Sequence, residues 1–277
     1  MSFKITHLKE SFQQNGYVVV PNFLDSNELR IVRENIERLI EITHQKRNCE
    51  HAFYANKHDK SSLKQLHRIE EDDFFKTYSI STKWSFLAST LLDGAVDSTL
   101  ALEWFNKPPR YFHETPPHQD NFYFCFEPPQ ALTIWLALDH ADYQTGCLHF
   151  IPGSHLRGIR PHQLSGNLGF SQTIADFTEE DKRTGIAITA NPGDAVIHHA
   201  ETIHWAGSNQ TTDRNRAALA MVFKSNACQR NQQRFEAYQQ SAKPFIQQEL
   251  RLAEVVKWAA SKVKATPFNN CLISLVP

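Results

Sequence analysis

Ala131-Leu132-Thr133-Ile134-Trp135-Leu136-Ala137-Leu138 holds a β-rich burst, read as a strand over Leu132–Leu138, that stops at Asp139. Similar bursts surround it: Thr99–Phe105, Phe122–Phe126, Cys147–Ile151, Ile186–Thr189, Ala195–His199 and Ala217–Phe223, broken by Pro, Gly and Asp. Short strands at close spacing with turn signals between them point to a sandwich or barrel, not to a doubly wound parallel sheet. Upstream, residues 7–15 read as a helix ending at Asn15-Gly16, followed by a β-branched burst, Tyr17–Pro21. Ser26 reads as the cap of a helix with Leu29, Val32, Ile36, Leu39 and Ile40 at 3.6-residue spacing. Residues 44–82 are polar and poorly periodic, and read as loop with short helices; His44, His51, His58 and His67 are expected at its surface. A helix is expected over Ser81–Leu92, and two more over Arg230–Gln240 and Pro244–Lys264. The expectation is a single domain, 1–277, mainly β with flanking helices. Its β core covers about 98–224, with helical flanks at 1–97 and 225–277.

Composition narrows the function classes. With 29 Lys+Arg against 30 Asp+Glu, the 277-residue chain lacks the basic excess of a nucleic-acid or anionic-membrane binder. Hydrophobic content of 41%, including 19 Phe, is ample for a buried core. Cys49, Cys125, Cys147, Cys228 and Cys271 are scattered and form no C-x-x-C pair, which fits a reducing compartment. The first ten residues carry no apolar signal core, and no run approaches 18 apolar residues. A soluble cytoplasmic protein is expected, with a small-molecule partner, no nucleic acid and no membrane. Oligomeric state is not legible.

The chemistry concentrates at His118-Gln119-Asp120, just before the aromatic run Asn121–Phe126. Read as part of a strand, residues two apart share a face, so imidazole and carboxylate project together. A second histidine would complete the 2-His-1-carboxylate triad that suits non-haem Fe(II) and leaves positions open for co-substrate and oxygen. The segment Pro192–His204 offers His198, His199 and His204. Arg214 and Arg216, opening the last β run, are candidates to clamp a carboxylate bidentately.

These residues, in this order, resemble the phytanoyl-CoA dioxygenase family of Fe(II)/2-oxoglutarate oxygenases. The resemblance is carried by Asn106-Lys107-Pro108-Pro109, His118/Asp120, Ala131–Leu138, Gly146-Cys147-Leu148, Ile151-Pro152-Gly153-Ser154-His155, Gly193-Asp194, His204 and Arg216-Ala217-Ala218-Leu219. It covers roughly 98–224, and Asn15 to Pro21 also looks like the family's start. It implies a double-stranded β-helix (jelly-roll, cupin-like) core, Fe(2+) held by His118, Asp120 and His204, and the distal carboxylate of 2-oxoglutarate on Arg216. The small hydroxyl residue often found two positions after the distal histidine is Ala206 here, so Thr133 or Ser208 is a candidate to replace it. Trp135 is a core residue that can also line the co-substrate pocket. Asn121 and Tyr123 are candidates to line the substrate pocket. Glu103 is another, and needs a partner if it faces inward.

His204 is favoured over His198 and His199, which read as strand histidines facing core and solvent. His155, Arg157, Arg160 and His162 form a basic loop, most simply solvated and otherwise a substrate-anion site. The implied reaction hydroxylates a C–H bond of a small or medium organic substrate, consuming O2 and 2-oxoglutarate and releasing succinate and CO2, with ascorbate as a stimulant. Related halogenases vacate the carboxylate position for chloride; Asp120 fills it, so hydroxylation is expected. A zinc hydrolase would need a general-base Glu, and H-E-x-x-H is absent. The stronger alternative is a non-catalytic member of the fold acting as sensor or scaffold.

Overall fold

The computed structural model describes residues 2–45, 51–56, 59–97, 101–167 and 170–241. In chain order the helices are α1 (Ser2–Asn15), α2 (Ser26–Gln45), α3 (Asp73–Ser79), α4 (Thr82–Leu92), the one-turn α5 (Asn121–Phe124), α6 (Glu179–Thr184) and α7 (232–241). The strands begin with β1 (Tyr17–Val20), β2 (Ala52–Tyr54), β3 (Leu63–Leu66), β4 (Ala101–Lys107) and β5 (Thr115–His118). There follow β6 (Phe126–Glu127), β7 (Ala131–Ala137), β8 (Leu148–Phe150), β9 (His162–Asn167) and β10 (Phe170–Ile174). The last are β11 (Ile186–Ile188), β12 (Ala195–His199), β13 (His204–Ala206), β14 (Arg216–Lys224) and β15 (Gln229–Arg230).

A seven-stranded sheet in the order β1-β12-β7-β14-β4-β3-β2 packs against a four-stranded sheet, β11-β8-β13-β5. Their ladders are antiparallel, and the result is a jelly roll with helices on its outside. Strand alternation sorts the large sheet into two faces. Leu132, Ile134, Leu136, Ile197, Leu219 and Met221 point outward and are sealed by Phe12 of α1, Val32 and Ile36 of α2 and Trp84 of α4. The opposite face carries Thr133, Trp135, Ala137, Ala218 and Ala220, and meets Leu148 and Phe150 of the small sheet. β7 is buried along its whole length, because both of its faces are covered. The outward face supplies the stability: Trp84 is fully buried between Phe23 and Tyr78. Trp84→Ala is expected to cost about 3–5 kcal/mol in urea unfolding, because it leaves a void between Phe23 and Tyr78.

Several sequence expectations change. The cap of α2 is Asp25, whose Oδ1 accepts the N–H groups of Asn27 (2.9 Å) and Glu28 (2.8 Å); Ser26 is already helical. Residues 44–82 are not merely loop. β2 and β3 extend the large sheet, and β3 is buried throughout although Lys64 and Gln65 are polar. His67, expected at the surface, sits beside Glu103. The Phe122–Phe126 burst is the helical turn α5 followed by the two-residue β6, not a strand. The proposed 230–240 helix begins at 232, and Pro244–Lys264 lies outside the described residues. Among the described residues no helix is long and apolar enough to cross a membrane.

Candidate metal centre

β5 and β13 are hydrogen-bonded neighbours, and their register sets His118 directly opposite His204. The two rings lie 4.2 Å apart, centroid to centroid. Asp120 arrives differently from the strand alternation expected of it. β5 ends at His118, the chain turns, and Asp120 has helical dihedrals (φ −56°, ψ −35°) at the start of α5. That turn brings its Oδ1 to 3.5 Å from His118 Nε2 and 3.6 Å from His204 Nε2. The three donor atoms all lie within 4.8 Å of one another. Two donors about 2.1 Å from one metal at right angles sit roughly 3 Å apart, so a small inward movement suits a divalent cation.

Both imidazoles are fixed in the tautomer a metal needs. His118 Nδ1 donates to the Pro116 carbonyl (2.8 Å) and His204 Nδ1 to the Thr202 carbonyl (2.9 Å), leaving each Nε2 lone pair pointing at Asp120. Burial alone would raise the Asp120 carboxyl, yet His204, His118 and His198 around it hold it well below the usual carboxylate range. Burial, with His118 and His198 adding to it, pushes His204 well below an ordinary histidine. The result is an anionic Asp120 carboxylate beside a neutral His204 imidazole, the ionisation state that binds cations.

The segments carrying the three residues are clamped together. Gln119 donates to the Glu201 carbonyl (2.7 Å), and the Asn121 amide donates to Glu201 Oε1 (3.0 Å) and the Phe126 carbonyl (3.1 Å). Asn121 Oδ1 accepts from Phe126 N–H, and the residue is fully buried. Asn121, expected to line the substrate pocket, is therefore used up in holding the loop. Ser154, in the Pro-Gly-Ser-His run, accepts from Ile203 N–H at 2.9 Å, fixing the residue before His204. Gly146 has φ +83°, and a Cβ there would run into the Gly207 carbonyl oxygen just beyond β13, so only glycine fits.

Two residues around Asp120 enlarge the site. Thr133 Oγ1 donates to its Oδ2 at 2.7 Å, and His198 Nε2 lies 3.1 Å from the same oxygen. Oδ2 is thus committed to the protein and Oδ1 left for a cation. His198 is buried in the site, while His199 faces the other way, half-buried against Phe12 and His155. Neither is a solvent histidine.

A second cluster lies further along the same sheet face. Arg216 is cross-strand from Lys107, and both are buried. Burial and then Arg216 push Lys107 well below an ordinary lysine; burial lowers Arg216 to about 10. Lys107 Nζ donates to the carbonyls of Gly207, Ala206 and His113. Arg216 packs 5.4 Å from the Trp135 ring, and its Nε has no partner. Among the described residues neither Lys107 nor Arg216 forms an ion pair with a carboxylate, and an anion placed between them would favour the charged form of both. Arg214, the other candidate, is taken by Asp142 at 2.7 Å.

Thr133 cannot supply the hydroxyl missing at Ala206. It stands opposite Val222, six residues along β14 from Arg216, roughly 20 Å of strand. Ser208 follows β13, half-buried, and among the described residues no hydrogen bond joins its side chain to this cluster. Tyr123 does stay near the centre: its ring is 5.9 Å from His118 and its hydroxyl contacts the Gln172 backbone. Glu103 faces inward and finds its partner in His67, Nδ1 to Oε1 3.3 Å. In the basic loop, Arg160 is held by Asp176 and Asp181, and His162 stacks on Phe122 at 4.2 Å. Lys107, His198 and His67 were not read as site residues. Lys107 stood inside the quoted Asn-Lys-Pro-Pro run, but only its cross-strand partner gives it a role.

The comparisons with known proteins agree with this geometry. The phytanoyl-CoA dioxygenase (PhyH) family matches residues 12–218. The phytanoyl-CoA dioxygenase of Arabidopsis thaliana is 25% identical over 252 residues, covering 78% of this chain and 88% of that protein. Among solved structures, EvdO2 from Micromonospora carbonacea var. aurantiaca, complexed with 2-oxoglutarate, superposes with a TM-score of 0.65. It is 28% identical and covers 81% of this chain and 91% of that one. The epimerase SnoN, in complex with Fe3+, alpha ketoglutarate and nogalamycin RO, shares the fold at TM-score 0.67 and 23% identity, with coverage of 82% and 86%. Fold and donor set together define an iron- and 2-oxoglutarate-dependent oxygenase. The chain belongs to the phytanoyl-CoA dioxygenase family.

Proposed function

We propose that the protein hydroxylates a C–H bond of a small or medium organic molecule, converting 2-oxoglutarate and O2 to succinate and CO2. The observation that carries this reading is a His-Asp-His group built from the small sheet and the turn after it, together with the buried, cross-strand Arg216 and Lys107 of the large sheet, neither of which is ion-paired to a carboxylate among the described residues. His118 Nε2, Asp120 Oδ1 and His204 Nε2 would hold the ferrous ion. Arg216 and Lys107 would receive the distal carboxylate of 2-oxoglutarate, with Trp135 as a wall. When bound, the metal supplies the oxygen activation and C–H chemistry that no side chain here can perform. The protein's part is positional. Thr133 and His198 hold the outer oxygen of Asp120, the Pro116 and Thr202 carbonyls fix the imidazoles, and the apolar inner face excludes water. Asp120 fills the position a halide would need, which favours hydroxylation. A cytoplasmic location rests on the cysteine usage alone.

Removing the Thr133 hydroxyl tests the positional claim. Thr133→Val, nearly isosteric, should weaken metal binding about 10- to 100-fold in an anaerobic titration while leaving the fold intact. Succinate release with Fe(II), ascorbate, O2 and 2-oxoglutarate, with and without candidate substrates, tests the reaction. Turnover supports an oxygenase. No succinate with any substrate, and none uncoupled, would favour a non-catalytic sensor or scaffold.

A further inference from the structure

β3 and β4 run antiparallel with Gln65 opposite Phe105, which places His67 opposite Glu103 on the same inward face. On the other side, Glu103 is in register with Ala220 of β14, and Ala220 with Trp135 of β7. Glu103 and Trp135 thus flank a residue with only a methyl group, about 10 Å apart across two strand spacings. Ala218 continues the shallow floor. Two residues from Trp135 on the same face of β7, Thr133 donates to Asp120 Oδ2, which sets this face beside the candidate metal centre.

The groups around this gap accept hydrogen bonds. Glu103 keeps 29% of its side chain accessible, yet burial, with Glu70 and Asp120 adding negative charge, raises it to about 7. Glu103 thus stands on the inward face of β4 with part of its carboxyl accessible. Burial, then His51 and Lys64, lowers His67 to about 4, so it is neutral. Its Nδ1–H then serves Glu103 and its Nε2 is an acceptor, buried and without a partner. Gln65, 2% exposed and on the same face, has its Oε1 buried and unpartnered. Phe53 packs 4.7 Å from the His67 ring, with Phe105 on its other side at 6.3 Å. Lys64 is the cation nearest to His67 by its effect, but its Nζ is turned to the Tyr111 ring, 6.0 Å away.

A carboxylate, two orphaned acceptors and aromatic faces together recognise a protonated amine: the acceptors take its N–H donors and the rings its positive charge. We propose that Glu103, His67 and Gln65 form the subsite for the head group of the substrate, and that this head group is a primary ammonium on an apolar body. The inference rests on the oxygenase reading and names its substrate class. The ammonium anchors on Glu103 and the apolar body lies over Ala220 and Trp135, which directs the chain of the substrate toward the metal centre. An anionic head, by contrast, would meet the negative charge of Glu103 and Glu70, while the nearby Lys64 Nζ lies over the Tyr111 ring.

The test is a binding titration under argon on protein loaded with Ni(II) and 2-oxoglutarate, so that nothing turns over. The probes are hexylammonium, hexanol and hexanoate. Hexylammonium is expected to bind at least about tenfold more tightly than either of the others, and Glu103→Gln to erase that preference. Equal binding of hexanol or hexanoate, a preference surviving Glu103→Gln, or no binding of hexylammonium at millimolar concentration would each overturn the proposal. Should the wild-type chain take up neither metal nor 2-oxoglutarate, the oxygenase reading fails instead, and the same three probes on the metal-free chain still decide the subsite.

Discussion

His204→Ala is expected to lower ferrous-ion affinity by on the order of a thousandfold and to abolish succinate release. The residue supplies one of only three donor atoms, and no neighbour can replace it. His198 is the obvious substitute, its ring 4.3 Å from that of His204, but its Nε2 is committed to Asp120 Oδ2. His198→Ala should therefore retain metal binding within roughly 10- to 100-fold, the cost of losing a supporting hydrogen bond. Anaerobic titration of both variants, with circular dichroism as a control for folding, separates a ligand from its support. Equal losses in the two would assign the wrong histidine to the metal.

Arg216→Met should raise the dissociation constant for 2-oxoglutarate by about 100- to 1,000-fold, equivalent to ~3–4 kcal/mol. Methionine fills similar volume against Trp135 but cannot pair with a carboxylate. The sign of the stability effect is the sharper part. In the absence of co-substrate, Arg216 faces Lys107 and, among the described residues, has no carboxylate within ion-pair distance, so its removal relieves a like-charge contact. The variant without 2-oxoglutarate is therefore expected to be at least as stable as the wild type, while the stabilisation that 2-oxoglutarate confers on the wild type disappears. A variant that loses stability and keeps its 2-oxoglutarate affinity would show Arg216 to be a structural residue.

The strands at the centre of the large sheet were legible because their sequence has one reading. Ala195–His199 was placed at its observed limits, and β7 and β14 to within a residue or so, since continuous apolar runs buried on both faces leave little choice. The strands that escaped notice break the local rules for tertiary reasons. β5 contains Pro116 and Pro117, which cannot donate to a ladder; it survives as the edge strand of the small sheet. β3 is buried throughout yet carries Lys64 and Gln65, so no apolar pattern marks it in the sequence. β13 is three residues long, too short for any pattern. In the other direction, the aromatic run Asn121–Phe126 looked like a strand, but Asn121 and Asp120 bend it into a helical turn held by Ala200 and Glu201.

The site was legible to a different depth. Motif order named His118, Asp120, His204 and Arg216, and the structure brings the first three together. Strand alternation predicts that His118 and Asp120 project together along a strand; they do come together, but across the turn between β5 and α5. What the sequence withheld were the relations across strands: Lys107 facing Arg216, His67 facing Glu103, and Thr133 and His198 converging on one carboxylate oxygen. Register, not composition, brings these residues together.

A crystal structure grown anaerobically with Fe(II) and 2-oxoglutarate tests the central claim most directly. One iron is expected about 2.0–2.2 Å from His118 Nε2, Asp120 Oδ1 and His204 Nε2, with the distal carboxylate of 2-oxoglutarate between Arg216 and Lys107. Iron bound elsewhere, iron ligated by His198 in place of His204, or 2-oxoglutarate with no contact to either buried cation would contradict it.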